Sequence, residues 1–159
     1  MPTEIERKFL VKGDAWRSLA TGTAYCQGYI ASTKDRTVRV RVVGTQGYLT
    51  IKGSTTGISR AEFEYPIPGE DALELLNTLC DPPLIQKKRY KIEHSGLVWE
   101  VDEFEGENQG LIVAEVELLD ANQAIVLPDW IGQEVSNDPR YFNANLAKHP
   151  FCHWGRGGG

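Results

Sequence analysis

The chain has 159 residues, 41% of them hydrophobic and 25% charged, with a formal net charge of −5. That is the length of one ordinary domain with enough apolar residues for a core, which excludes a disordered chain. The acidic balance gives no sign of a nucleic-acid or membrane partner, and no apolar run reaches the length of a membrane span or a signal-peptide core.

The predicted elements alternate short strands with turn signals. A strand at 4–11 comes first, then GDAWRSLA at 13–20, a short helix with Asp14 as N-cap. Strands at 24–32, 36–43, 47–53 and 60–67 follow, with VVGTQGY at 42–48 and KGSTTG at 52–57 as turns. GEDALELLNTLC at 69–80 predicts a helix that stops before Asp81-Pro82-Pro83. Strands at 84–94, 97–105 and 111–119 are separated by EHSG at 93–96 and EGENQG at 105–110. DANQAIVL at 120–127 predicts a third helix, opening on Asp120 and closing at Pro128. A fourth is predicted at 138–149, with Asp138 as N-cap and Pro139 at the first helical position. Eight closely spaced strands make this an α+β chain, mainly β, whose single antiparallel sheet is expected to close into a barrel. Residues 1–154 are expected to form one domain and 155–159 a disordered tail. Cys26, Cys80 and Cys152 are an odd number without a CxxC pair, as expected of free thiols in the cytoplasm. His94, His149 and His153 read as surface or terminal residues, and Cys152 with His153 falls short of the ligand count of a metal site.

A strand turns alternate side chains to opposite faces. In EIERK, Glu4, Glu6 and Lys8 share one face. In TVRVRV, Arg39 and Arg41 lie opposite Val38, Val40 and Val42. Lys52 follows Thr50, opposite Leu49 and Ile51; Arg60, Glu62 and Glu64 lie opposite Ala61, Phe63 and Tyr65. Lys87, Arg89 and Lys91 share a face, as do Glu100 and Asp102, and Glu115 and Glu117. One such strand suggests a solvated face laced with ion pairs. Seven strands with sorted charges, plus helices that need an apolar surface to cover, make the aliphatic face the packed one. The charged face then looks out from an open sheet or lines a closed barrel.

A dry charged interior is excluded by magnitude. About fifteen buried ions at several kcal/mol each would exceed the roughly 5–15 kcal/mol net stability of a domain. An inward charged face must be wet, metal-loaded or filled by a charged ligand. Lys8, Arg39, Arg41, Lys52, Arg60, Lys87 and Arg89 suit an elongated polyanion, since arginine forks match phosphate oxygens. Glu4, Glu6, Asp102, Glu115 and Glu117 would repel that polyanion unless hard cations, Mg²⁺ or Mn²⁺, stood between. A basic clamp with an acidic metal cradle is what phosphoryl transfer needs.

The ordered series ExExK at 4–8, QGYI at 27–30, RVR at 39–41, TIK at 50–52, RAEFE at 60–64, KKRY at 87–90, EVD at 100–102 and EVE at 115–117 resembles the CYTH superfamily of triphosphate tunnel metalloenzymes, in its short bacterial branch. WIGQEVSNDPRYFNANLA at 130–147 resembles that branch's C-terminal helix region. The resemblance implies an eight-stranded tunnel that hydrolyses inorganic tripolyphosphate to pyrophosphate and phosphate with a divalent metal. It implies metal ligation by Glu4 and Glu6, helped by Asp102, Glu115 and Glu117, and phosphate binding by Arg39, Arg41, Lys52, Lys87 and Arg89. Arg60 with Glu62 and Glu64 matches the family's mixed strand, and Glu100 is a further tunnel residue. Lys8 with Tyr29 matches the pair that activates water, by way of a lysine pKa lowered among other cations. The last helix would plug one tunnel mouth, with Arg140 reaching inside. Cys26 before QGY, and Pro139 in the plug, stand where relatives carry bases. The substrate is expected to be a small triphosphate compound, with no nucleic-acid or membrane partner, in a monomer or homodimer. Adenylate cyclase, thiamine or nucleoside triphosphatase, and a non-catalytic polyphosphate-binding module are the alternatives.

Overall fold

In a computed structural model that describes residues 3–154, nine strands form one antiparallel sheet. They are β1 (Thr3–Val11), β2 (Thr23–Ser32), β3 (Arg36–Val43), β4 (Gln46–Gly53), β5 (Ser59–Pro68), β6 (Asp81–His94), β7 (Leu97–Phe104), β8 (Ile112–Glu117) and β9 (Ile131–Glu134). Their order is β5-β4-β3-β2-β6-β7-β8-β1-β9, and a pairing of β1 with β5 closes the first eight into a barrel. The closing register sets Thr3 against Ala61, Glu4 against Arg60 and Ile5 against Ser59. Farther along β1, Lys8 faces Glu115 of β8. The expected eight-stranded barrel is therefore present, with β9 as one extra strand. The tail expected at 155–159 lies outside the described residues.

Strand β9 was not expected from the sequence. It lies along β1 beyond the end of β5, with Phe9 opposite Glu134 and Val11 opposite Ile131. Arg7 fastens it through Glu134, at 2.9 and 2.6 Å, and the Val135 amide donates to the Lys8 carbonyl at 2.8 Å.

Aliphatic residues that alternate with the charged ones face outwards, as strand geometry requires. Phe9, Trp99, Val101 and Val116 form one outer cluster with Trp16, Trp130 and Ile131. On the other side, helix α1 (Gly69–Thr78) lays Ala72 and Leu76 on Val40 of β3. Gly47 permits this approach, because a Cβ there would lie 2.6 Å from the Ala72 Cβ. Cys26 packs into this outer cluster. The absence of a base at that position therefore leaves the charge of the lumen unchanged.

Three predicted helices come out differently. The segment at 13–20 makes only a 3₁₀ turn, Ala15–Ser18, held by the buried Trp16, whose indole donates to the Gly13 carbonyl at 2.9 Å. The segment at 120–127 is not helical. The Asp120 carboxylate accepts from the Asn122 amide at 2.7 Å, a local turn that competes with helix initiation. Val126 and Leu127 are left exposed, so no apolar stripe drives a helix to dock. The segment at 138–149 breaks at Phe142, whose backbone is extended, into a 3₁₀ turn Pro139–Tyr141 and helix α2 (Asn143–Lys148). The break turns the Tyr141 carbonyl towards Lys8 Nζ at 3.4 Å and sets the Phe142 ring 5.3 Å from it.

Helix α2 plugs part of the barrel. Leu146 and Tyr141 pack against Ile85, Phe104 and Val113, the last inward-facing positions of β6, β7 and β8. One step deeper the inward positions turn charged, with Lys87, Asp102 and Glu115. That change of layer from apolar to ionic is the floor of the site.

Candidate active site

The barrel encloses a cavity of about 890 Å³, within the range of small-ligand sites. On its wall, Glu4, Glu6 and Lys8 of EIERK point inwards. Tyr29, Arg39, Arg41, Lys52, Arg60 and Arg89 line it as well. So do Glu62, Glu64, Glu100, Glu115 and Glu117.

The carboxylates crowd in pairs. Glu6 lies against Glu115, and Glu4 against Glu62, each pair close enough to share a proton. Burial, with Glu115 and Glu4 adding, pushes the Glu6 carboxyl up to about 8. Burial and the bond to Glu4 push Glu62 up to about 7. Burial works against Glu115 too, yet Lys8, Arg89 and Lys87 hold it well below the usual range. Burial likewise opposes ionisation of Glu4, but Lys52, with its ammonium 2.8 and 3.0 Å from the two oxygens, keeps the pKa low. Carboxyl oxygens forced together this closely fit a hard divalent cation, which would replace the shared protons.

The bases line the same lumen and touch the carboxylates at Lys8, Lys52 and Arg39. Arg39 Nη2 donates to Thr50 Oγ1 at 3.1 Å and to Glu64 Oε1 at 3.4 Å, while its buried Nε has no hydrogen-bond partner. Arg41 Nε donates to Gln27 Oε1 at 3.0 Å. Arg60 caps the Gly53 carbonyl with two donors, at 3.1 and 2.7 Å. Tyr25, which the sequence reading passed over, carries Arg41 and Arg89 over its ring at 5.1 and 5.0 Å. Its signal was present in TAYCQGYI, where Tyr25 and Tyr29 have the same parity.

Three predicted site residues lie off the cavity wall. Asp102 accepts from Arg89 Nε at 2.7 Å on one oxygen, and from Arg89 Nη2 and Lys87 Nζ, both at 2.8 Å, on the other. Both of its oxygens are bound to cations, beneath the floor of the cavity. Lys87 is fully buried there and also donates to Asn143 Oδ1 of α2 at 3.2 Å. Arg140 does not reach inside. It is paired with Asp138 at 2.7 Å and stacked near Trp154, with its side chain 62% exposed.

The expected cause of a lowered Lys8 pKa is overturned. The charged neighbours of Lys8 are acidic: Glu115 at 3.6 Å and Glu6 at 3.9 Å. Burial works against its charge, but Glu115, Glu6 and Glu4 outweigh it and raise the pKa. The lysine brought towards neutrality is Lys87. Burial pushes it down to about 7 in spite of Asp102, with Arg89 and Arg41 adding to the effect.

No helix among the described residues is long and apolar enough to cross a membrane. A family profile described as the CYTH domain matches residues 2–150. An inorganic triphosphatase of Acetivibrio thermocellus is 58% identical over 151 residues, spanning 95% of this chain and 97% of its own. An inorganic triphosphatase of Nitrosomonas europaea is 37% identical over 153 residues, spanning 91% and 97%. A crystal structure of an inorganic triphosphatase superposes with a TM-score of 0.66 at 34% identity, covering 92% of this chain and 95% of that one.

Proposed function

The chain belongs to the CYTH domain family, and on that premise we propose that it is a metal-dependent inorganic triphosphatase, which cleaves tripolyphosphate to pyrophosphate and phosphate inside the barrel. The observation that carries this reading is that one lumen is lined both by crowded carboxylates and by a set of arginines and lysines. The high identity to two inorganic triphosphatases supports it.

Glu4, Glu6, Glu115 and Glu117 would hold the cation, Mg²⁺ or Mn²⁺, with Glu62 and Glu64 beside them. When bound, the cation supplies charge neutralisation at the phosphate oxygens and an activated water. Arg39, Arg41, Lys52, Arg60 and Arg89 would position the triphosphate. The buried, unpartnered Nε of Arg39 is a donor for an anion. Lys8 and Tyr29 remain the pair proposed nearest the attacking water. Lys8 acts there as a charged ammonium that orients and stabilises. A loose phosphoryl transition state has more need of positioning and charge than of a strong base. Asp102 holds Arg89 in place from below and carries Lys87 on the same carboxylate.

The test is phosphate release by the purified protein with and without Mg²⁺ or Mn²⁺. Tripolyphosphate, ATP and thiamine triphosphate are offered in parallel, with Glu6→Ala as control. Metal-dependent release that is fastest from tripolyphosphate and lost in the variant is the expected result. No release from any of the three overturns the proposal.

A further inference from the structure

Among the described residues, one group of mixed metal-ligating side chains lies outside the barrel lumen: Glu107, Cys152 and His153, whose donor atoms all lie within 4.8 Å of one another. Cys152 and His153 alone lack the ligands for a site; the fold supplies the third from a distant loop. Two short turns carry them, Gly106–Asn108 between β7 and β8, and Phe151–His153 after α2.

These turns are fixed to one another. Asn108 is buried, and its Oδ1 accepts from the Phe151 amide at 2.8 Å. Gly106 and Gly110 have positive φ, 63° and 99°, so the EGENQG loop takes a shape that glycine makes easy. The Phe151 ring packs against Gly110 on one side and lies 5.1 Å from the Trp154 ring on the other. The three donors therefore stand on a braced platform, and their own side chains are free to turn.

We infer that Glu107, Cys152 and His153 form a second metal site, for a borderline-soft dication of the Zn²⁺ class. Tetrahedral Zn²⁺ with sulfur at about 2.3 Å and nitrogen or oxygen at about 2.0–2.2 Å sets neighbouring donors roughly 3.5 Å apart. Side-chain rotation closes that difference without moving the backbone. Thiolate and imidazole disfavour Mg²⁺, and the all-oxygen lumen disfavours a thiophilic ion, so the two sites sort metals by donor chemistry. Three protein ligands leave the fourth position to water. Bound there, the ion clips the turn after α2 to the β7–β8 loop, and so secures the helix that plugs the barrel.

The test uses the reduced full-length protein in saturating Mg²⁺, with Co²⁺ as probe. A cobalt–thiolate charge-transfer band reports sulfur ligation, which carboxylates in the lumen cannot produce. Saturation at one Co²⁺ per chain is expected, with displacement by Zn²⁺ and loss of the band in Cys152→Ser. Glu107→Gln and His153→Ala should each weaken binding by more than about tenfold. Zn²⁺ should raise the thermal midpoint of the parent and leave that of Cys152→Ser unchanged by comparison. Circular dichroism confirms that the variants fold. Absence of a thiolate band at stoichiometric Co²⁺, or an undiminished band in Cys152→Ser, overturns the inference.

Discussion

Lys87 Nζ lies 2.8 Å from Asp102 Oδ2, and the two side chains are 0% and 1% exposed. Arg89 occupies the same carboxylate from its other side. One carboxylate thus holds two cations under the floor of the cavity. Removing it would leave Lys87 with only the Asn143 side chain and Arg89 with only Glu100 at 3.3 Å, and breaking a buried pair costs about 3–5 kcal/mol. Asp102→Ala should lose stability of that order in urea unfolding carried out with chelator present. A residue that served only to bind metal would show no loss under those conditions.

Cation binding in the lumen should release protons. The folded-state pKa values of Glu6 and Glu62, about 8 and about 7, stand above the ordinary 4.5. Between those limits the metal-free folded protein holds protons that the unfolded chain has lost. This contribution to metal-free stability is full below pH 4.5 and fades as pH rises towards 8. A cation must displace the same protons, so the apparent Mn²⁺ affinity should climb through that window, by up to about tenfold per pH unit for each proton released, and level off above it. Calorimetric Mn²⁺ titrations in buffers of different ionisation heat measure both the affinity and the proton count.

Tyr25 should matter through its ring more than its hydroxyl. It lies beneath both Arg41 and Arg89, and each such contact is worth about 0.5–2 kcal/mol. Tyr25→Leu should raise the KM for tripolyphosphate about tenfold, with a smaller change in kcat, while Tyr25→Phe stays near the parent. Steady-state kinetics of the two variants side by side give the answer.

Gly47 and Gly53 lie on the same strand and should respond differently to alanine. At Gly47 the new methyl meets the Ala72 Cβ at 2.6 Å and the Ile67 carbonyl oxygen at 3.0 Å, so α1 must shift. A loss of about 1–3 kcal/mol is expected. At Gly53 the nearest atom is the Ala61 Cβ at 3.5 Å, an ordinary contact. That variant should stay within about 0.5 kcal/mol of the parent by thermal unfolding.

The barrel and the sign of its lining were legible because strand parity is a local property. Every one of Glu4, Glu6, Lys8, Arg39 and Arg41 points to the face that alternation gave it. Depth was not legible. Parity puts Lys87 and Asp102 inside, but only the register, Lys87 against Phe104 and Arg89 against Asp102, sets them below the cavity under the plug. The surroundings of Lys8 depend on which strands become its neighbours, and those were acidic β8 and the interrupted plug, where a cationic ring was expected. Helix signals failed at 120–127 because a capping aspartate is also a turn residue, and tertiary packing decides between the two.

Strand β1 both carries Glu4, Glu6 and Lys8 and closes the ring. Among the described residues, three pairs join β1 to β5, whereas eight join β3 to β4. Among the described residues this seam is the narrowest weld in the barrel, and Glu4 lies on it, with its side chain bound to Lys52 across the join. Breathing of the wall should begin there. A change that loosens this weld would let water in from the side at the point where the carboxylates stand, so the tightness of the vessel and the readiness of its chemistry rise and fall together.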